Sequence, residues 1–236
     1  MLQDLCVVDN FLAPAECGEL LAAISSYRER LELPLIDRAK RRRSLRYRVI
    51  DGNAIATDLT QLEALHQRVG QMIGGWAGEV LLPLDERVAG INVNITPPGG
   101  EYRWHYDRNE VTAIVYLNDV RGGATEIYVH NRVVLPLHMQ FLQRGIDAVA
   151  GNRAVLAVVG RRVVVTPRVG RLVVMRGDRC LHSVCAVEGV DERINVCLAY
   201  DRAGARRPAR RLLDDYLYTE RTVSGGDPNY RSWPGE

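Results

Sequence analysis

Two periodicities divide the chain. Up to about residue 85, apolar positions recur at helical spacing; from about Arg87 onward they alternate at the spacing of strands. The run Leu5–Val8 predicts a short strand. "NFLAPAECGELLAAISSY" predicts a helix over about 14–26, with Pro14 suited to a first helical position and Leu20, Leu21 and Ile24 as the buried stripe. "TDLTQLEALHQRVGQMIGGWAG" predicts a second helix, capped by Thr57 or Thr60, with Leu62, Leu65, Val69, Met72 and Ile73 facing a core and His66 as a surface or packing residue. "VAGINVNIT", "VTAIVYLN", "ATEIYVH", "AVLAVVG", "RRVVVTP", "RLVVMRG" and "ERINVCLAYD" then predict strands between Gly, Pro, Asn and Asp turns. "LPLHMQFLQRGIDAVAG" interrupts them as an inserted helix. Helices followed by many strands make an α+β chain whose β part is a sandwich or barrel.

Alternation within the strands carries more. In "INVNIT", Ile91, Val93 and Ile95 share one face and Asn92, Asn94 and Thr96 the other. In "RINVCLAY", Ile194, Val196, Leu198 and Tyr200 oppose Arg193, Asn195, Cys197 and Ala199. Tyr116 likewise lies opposite Val115 and Leu117. A water-washed face carries more Lys, Glu and Ser than this. Amides, a tyrosine and one arginine suit the mouth of a barrel that holds a polar ligand.

Composition narrows the function classes. The 236 residues are 47% hydrophobic, enough for a substantial core, and the net charge of +2 gives no general case for nucleic-acid binding. Lys40 is the only lysine, so arginine supplies nearly all the positive charge; it suits bidentate capture of carboxylate or phosphate. The basic run 38–48 reads as a solvated loop or strand edge, or as a rim for an anionic substrate. The N-terminus lacks the pattern of a signal peptide, and no apolar run approaches the roughly 18 residues of a membrane span. The 5 cysteines form no CxxC pair, and Cys180, Cys185 and Cys197 fit no zinc spacing. A cytoplasmic protein with unpaired, mostly structural thiols is the expectation.

The chemistry gathers at "YRWHYD". His105 and Asp107 stand two apart in an extended segment, so both side chains point one way. Of the 5 histidines, His182 follows an apolar strand and a Gly177-Asp178 turn in "GRLVVMRGDRCLHSVCAV". Two imidazoles and one carboxylate on one side of an ion form the facial triad of non-haem Fe(II) sites, which leaves positions open for a chelating co-substrate and O2. Such a donor set also accepts Mn, Co, Ni or Zn. The plain alternatives are a surface pair for His105 and Asp107, a core histidine for His182 and a salt-bridged strand residue for Arg193. His130 and His138 have no partner at ligand spacing.

In that order of motifs the sequence resembles the Fe(II)/2-oxoglutarate-dependent dioxygenases, near their prolyl-4-hydroxylase-like branch. "VVDNFLAPAECGELLAAI", "PPGGEYRWHYD", "AIVYLND", "GGATEIY", "VTPRVGRLVVMRGDRCLHSVCAV" and "ERINV" carry the resemblance over most of the chain. It implies a double-stranded β-helix (jelly roll) core with N-terminal supporting helices and an inserted helix. One domain is implied over 1–236: helical support to about 85, the jelly-roll core over about 86–202, and a C-terminal extension over about 203–236. It implies that His105, Asp107 and His182 bind iron and that Arg193 pairs with the far carboxylate of 2-oxoglutarate. Tyr116 matches a tyrosine that some prolyl hydroxylases direct at the same carboxylate. Asn94 and Asn195 resemble paired asparagines of the nucleic-acid demethylase branch. The sequence departs from the prolyl hydroxylases at Ile95, where they carry a tyrosine, and at Arg193, where many carry lysine.

The implied reaction converts 2-oxoglutarate and O2 to succinate and CO2 while an unactivated C–H bond is oxidised, with ascorbate a candidate reductant. Related halogenases lack the carboxylate, so Asp107 favours hydroxylation, or another oxidation such as desaturation. The expected substrate is a small molecule, such as an amino acid or a natural-product intermediate, with neither nucleic acid nor membrane as partner. A peptidyl (prolyl-type) hydroxylase is one alternative, and a non-oxidative metal- or ligand-binding jelly roll another. Tyr102, Trp104, Tyr106 and Tyr128 are candidates for a substrate pocket or for core packing; Arg103 and Arg108 are candidates for an acidic substrate group.

Overall fold

A computed structural model of the chain describes residues 4–38, 44–129, 132–135, 139–150, 155–156, 160–205 and 217–218. The N-terminal part runs β1 (Leu5–Val8), α1 (Pro14–Arg30), β2 (Ile36–Arg38), β3 (Leu45–Ile50), α2 (Gly52–Asp58), α3 (Thr60–Ala77), β4 (Leu81–Pro83) and α4 (Arg87–Gly90). β5 (Ile91–Thr96), β6 (Tyr102–His105), β7 (Val111–Tyr116), β8 (Arg121–Gly122) and β9 (Thr125–Val129) follow, then α5 (Gln140–Ala150). The chain continues through β10 (Arg161–Val165), β11 (Leu172–Met175), β12 (Leu181–Val184), β13 (Val187–Glu188) and β14 (Arg193–Arg202).

The strands form a large antiparallel sheet, ordered β1-β11-β7-β14-β5-β3-β2 with β4 beside β14, and a small one, ordered β10-β9-β12-β6. β8 and β13 pair separately. The helical support expected up to about residue 85 thus supplies strands beyond the predicted Leu5–Val8. β3 extends the large sheet because Leu45, Tyr47 and Val49 alternate with arginines, a period that the run of charge hides in the sequence. That pairing makes the described part of the basic run a strand rather than a loop.

Register assigns the two faces of the large sheet. Across β14 and β5, Arg193 lies opposite Thr96, Asn195 opposite Asn94, and Cys197 opposite Asn92. Across β14 and β7, Asn195 meets Tyr116, Cys197 meets Ile114, and Ala199 meets Thr112. The other face presents Val93, Ile95, Val115, Val196 and Leu198 to Leu20 and Ile24 of α1, Ile55 of α2, and Leu62, Leu65, Val69 and Ile73 of α3. Burying that apolar face against helices turns the polar face toward the small sheet, and Ile114, Tyr116, Val173 and Met175 close the gap against Ile127 and Val165.

The first helix starts where expected and runs longer, whereas the second differs at its start. α1 begins at Pro14 and continues to Arg30, with the Ala13 N–H donating to the Glu16 carboxylate at 2.9 Å. A short helix that the sequence did not announce, α2, precedes the second predicted one, α3. Asp51 caps α2, its Oδ1 accepting from the N–H groups of Asn53 and Ala54 at 2.9 and 3.0 Å, while neither Thr57 nor Thr60 acts as a cap. α3 ends at Gly78 in the left-handed region (φ 65°). His66 is a packing residue: its ring lies 4.7 Å from that of Tyr200 and its Nε2–H donates to the Ala199 carbonyl at 3.2 Å. Burial pushes its pKa down to about 4.

The inserted helix is present as α5. Arg132 ties it to the segment that follows β6: it makes a bidentate pair with Asp147 (both bonds 2.8 Å), and its guanidinium lies 4.6 Å from the ring centre of Tyr106. The strand expected in "AVLAVVG" is replaced, where described, by helical Val155 and Leu156. His130 and His138 lie outside the described residues. Among the described residues, no helix is long and apolar enough to cross a membrane.

Candidate active site

β6 and β12 pair with His105 directly opposite His182. Asp107 follows β6 and is anchored by its own N–H, which donates to the Gly177 carbonyl at 2.9 Å. Ligating atoms of His105, Asp107 and His182 all lie within 4.8 Å of one another. His105 Nε2 is 3.4 Å from Asp107 Oδ1, and His182 Nε2 is 3.5 Å from Oδ2.

Main-chain acceptors settle the tautomers. His105 Nδ1 donates to the Arg103 carbonyl and His182 Nδ1 to the Cys180 carbonyl, each at 2.9 Å. A carbonyl only accepts, so Nδ1 carries the proton in each ring and both Nε2 lone pairs face the carboxylate. A carbonyl behind the ring in this way orients histidines that bind metals. Burial, together with the neighbouring His105, pushes the His182 pKa down to about 4, so at neutral pH its ring need lose no proton to bind a cation. Burial works to raise the Asp107 pKa. His182, His105 and a hydrogen bond from the Thr112 hydroxyl outweigh it and hold the carboxyl well below its usual range. Neutral imidazole nitrogens beside a hard carboxylate fit Fe(II).

The triad opens into a cavity of about 140 Å³ between the sheets, whose walls include Asn94, Arg193, Asn195 and Cys197 from the large sheet and Thr125 from the small one. Arg193 is 2% exposed. It donates to Asn195 Oδ1 and to Thr125 Oγ1, the latter at 3.2 Å. Its Nε has no hydrogen-bond partner and, among the described residues, no carboxylate pairs with it. A buried guanidinium without a counter-charge is costly and calls for an anion from outside the chain.

The other candidates fall into place around it. Tyr116 does not line the cavity; its ring lies beneath Arg193, 5.0 Å from the guanidinium carbon, and its hydroxyl bonds Thr125 Oγ1 at 2.6 Å. Asn94 donates to Asn92 Oδ1 at 2.7 Å and to Cys197 Sγ at 3.3 Å. Burial raises the Cys197 pKa and keeps it a thiol despite those amides and Arg193. Tyr102, Arg103, Tyr106 and Arg108 line the cavity, Arg108 pairing with Glu86 at 3.0 Å, whereas Trp104 packs against Tyr128 at 5.4 Å.

Several lining groups were not singled out from the sequence. Thr112 shares the inner face of β7 with Ile114 and Tyr116, so its place was legible in the alternation. Thr125 stands in the quoted "GGATEIY" without an assigned role. Leu217 and Tyr218 also line the cavity; the Leu217 carbonyl accepts from the Tyr47 hydroxyl at 2.5 Å, and Asn92 Nδ2 donates to the Tyr218 hydroxyl at 3.4 Å. No local pattern could announce that contact.

No curated protein matches the sequence. Among solved structures, the non-haem alpha-ketoglutarate-dependent epimerase SnoN of nogalamycin biosynthesis superposes with a TM-score of 0.68 at 18% identity, covering 98% of this chain and 89% of that one. Another structure of that epimerase holds Fe3+, alpha-ketoglutarate and nogalamycin RO. The carbocyclase SnoK of the same biosynthesis gives 0.64 at 19% identity, with 86% and 81% covered. A Pseudomonas putida prolyl-4-hydroxylase gives 0.54 at 22%, with 86% and 94% covered. These likenesses establish an α+β fold with a double-stranded β-helix core. The family model of the 2OG-Fe(II) oxygenase superfamily, whose members use Fe(II), 2-oxoglutarate and O2, matches residues 91–200, the stretch that holds the triad and Arg193. Over those residues, a little under half of its length, this chain is similar to the 2OG-Fe(II) oxygenase superfamily.

Proposed function

We propose that the protein is a 2-oxoglutarate-dependent dioxygenase that oxidises an unactivated C–H bond of a small molecule, with His105, Asp107 and His182 holding Fe(II) and Arg193 receiving the distal carboxylate of 2-oxoglutarate. The observation that carries this reading is the buried guanidinium, paired with no carboxylate among the described residues, in the same cavity as the triad. Bound Fe(II) with 2-oxoglutarate and O2 supplies the oxidation: for hydroxylation, substrate R–H, 2-oxoglutarate and O2 become R–OH, succinate and CO2. The chain's own groups do the rest. The Arg103 and Cys180 carbonyls keep the Nε2 lone pairs turned to the ion. Tyr116 and Thr125 hold Arg193 in place for a bidentate bond. Asn94, Asn195 and the Cys197 thiol wall the cavity beside Arg193 with neutral polar groups.

A small-molecule substrate is supported by the likeness to SnoN and SnoK, which superpose better than the prolyl hydroxylase. Tyr102, Tyr106 and Tyr218 around the cavity suit a ring-bearing, oxygenated intermediate. The unpaired cysteines support a reducing compartment, the cytoplasm. The test is anaerobic titration with Fe(II) and 2-oxoglutarate, read by the weak visible charge-transfer band of the chelate. Succinate release is then measured over amino acids, peptides and natural-product intermediates. The band is expected in the wild type, and Asp107→Ala is expected to lose both band and turnover. Full turnover in that variant would remove the carboxylate from the mechanism.

A further inference from the structure

The Asp107 carboxylate is held from behind by a relay that the metal-site reading does not use. Thr112 Oγ1 lies 2.5 Å from Asp107 Oδ2. Asn109 Nδ2 lies 2.7 Å from the Val111 carbonyl and 2.8 Å from Thr112 Oγ1. The directions of these bonds are forced. A carbonyl can only accept, so the group facing Val111 is the Asn109 amide NH2, and its other hydrogen is given to the Thr112 oxygen. That leaves the single Thr112 proton for the carboxylate, which as an anion only accepts. Asn109 and Thr112 are both buried, so water does not compete for either bond.

The Gly177 backbone closes the other side. A Cβ there would lie 2.5 Å from Thr112 Oγ1 and 2.7 Å from Asp107 Oδ2, so only glycine lets this turn pass so near. Oδ2 thus takes the Thr112 proton and abuts the Gly177 backbone while standing 3.5 Å from His182 Nε2, and Oδ1 stands 3.4 Å from His105 Nε2. A hydrogen bond to one carboxylate oxygen draws charge from it and stops the group turning.

Resting on the metal-site reading above, we propose that Thr112, itself oriented by Asn109, is a positioning residue that fixes the Asp107 carboxylate in the orientation it needs, beside the two imidazoles, to bind the metal.

Anaerobic Co(II) titration of the whole chain, followed by its visible d–d spectrum and by affinity, tests this without turnover. Thr112→Val keeps the shape and β-preference of the side chain and removes the proton; it is expected to bind Co(II) roughly 10–100-fold more weakly, with altered band intensities. Thr112→Ser is expected to restore affinity and spectrum, which a role limited to filling space would not require. A Thr112→Val protein with wild-type affinity and spectrum overturns the proposal. If Thr112→Val does not fold, Asn109→Ala carries the test: it leaves the hydroxyl in place but no longer directs its proton, and unchanged Co(II) binding there overturns the proposal equally. A wild-type chain that fails to bind Co(II), or binds it as well after His105→Ala, would instead overturn the metal site itself.

Discussion

Arg193 joins the two halves of the site, and its energetics make it the most informative residue to change. Its guanidinium is buried, bonded to neutral partners and stacked on Tyr116. Truncating one partner of a buried charged pair costs about 2–5 kcal/mol. Arg193→Met is therefore expected to weaken 2-oxoglutarate binding about 30-fold or more, measured by isothermal titration in the presence of Mn(II), while Co(II) affinity changes little. An equal loss of both would mean that Arg193 supports the triad rather than the co-substrate. Much of this was legible at the residue scale. His105 and Asp107 share a side because strand side chains alternate, and Arg193, Asn195 and Asn94 were placed on one face by the same period. Asn109 was not, because it sits in a turn where no period operates.

At the scale of elements, the strongest periodic segments formed as expected and the local punctuation did not. α2 was missed because Gly52–Asp58 is too short for a buried stripe to declare itself. Its start depends on Asp51, whose carboxylate satisfies two otherwise unpaired N–H groups. Asp51→Ala is expected to cost about 1 kcal/mol, read as a fall in Tm of roughly 2–4 °C by calorimetry. No change would show that the helix is held by its packing on α3 alone. β2 and β3 escaped for a different reason. Their arginines alternate with the buried residues, and the charge masks the apolar period that pairs β3 with β5.

For the whole molecule, the layered core ties stability to pH through a histidine far along the chain from the triad. His66 titrates near 4 in the folded protein, against about 6.5 when exposed. Between those values the unfolded chain binds a proton that the folded chain does not. Stability is therefore full above about pH 6.5 and falls as pH drops toward 4, by roughly 3 kcal/mol for this group. Denaturant unfolding of metal-free wild type and His66→Gln at several pH values should show a shallower pH slope in the variant. His182 contributes to both proteins alike and cancels in the difference. Identical slopes would mean that the folded state admits the charge on His66.

The sequence alone determined the class of fold, the two long helices, most of the strands after residue 90, the inserted helix and the residue types of the site. These depend on periods and spacings within single segments. Tertiary structure alone decided that His105 pairs across from His182, that no acid among the described residues stands beside Arg193, that Tyr116 supports Arg193 from below, and that Leu217 and Tyr218 reach the cavity. Each of those facts joins segments far apart in the chain. Register and packing between sheets set them, and no local pattern encodes which distant strand lies opposite.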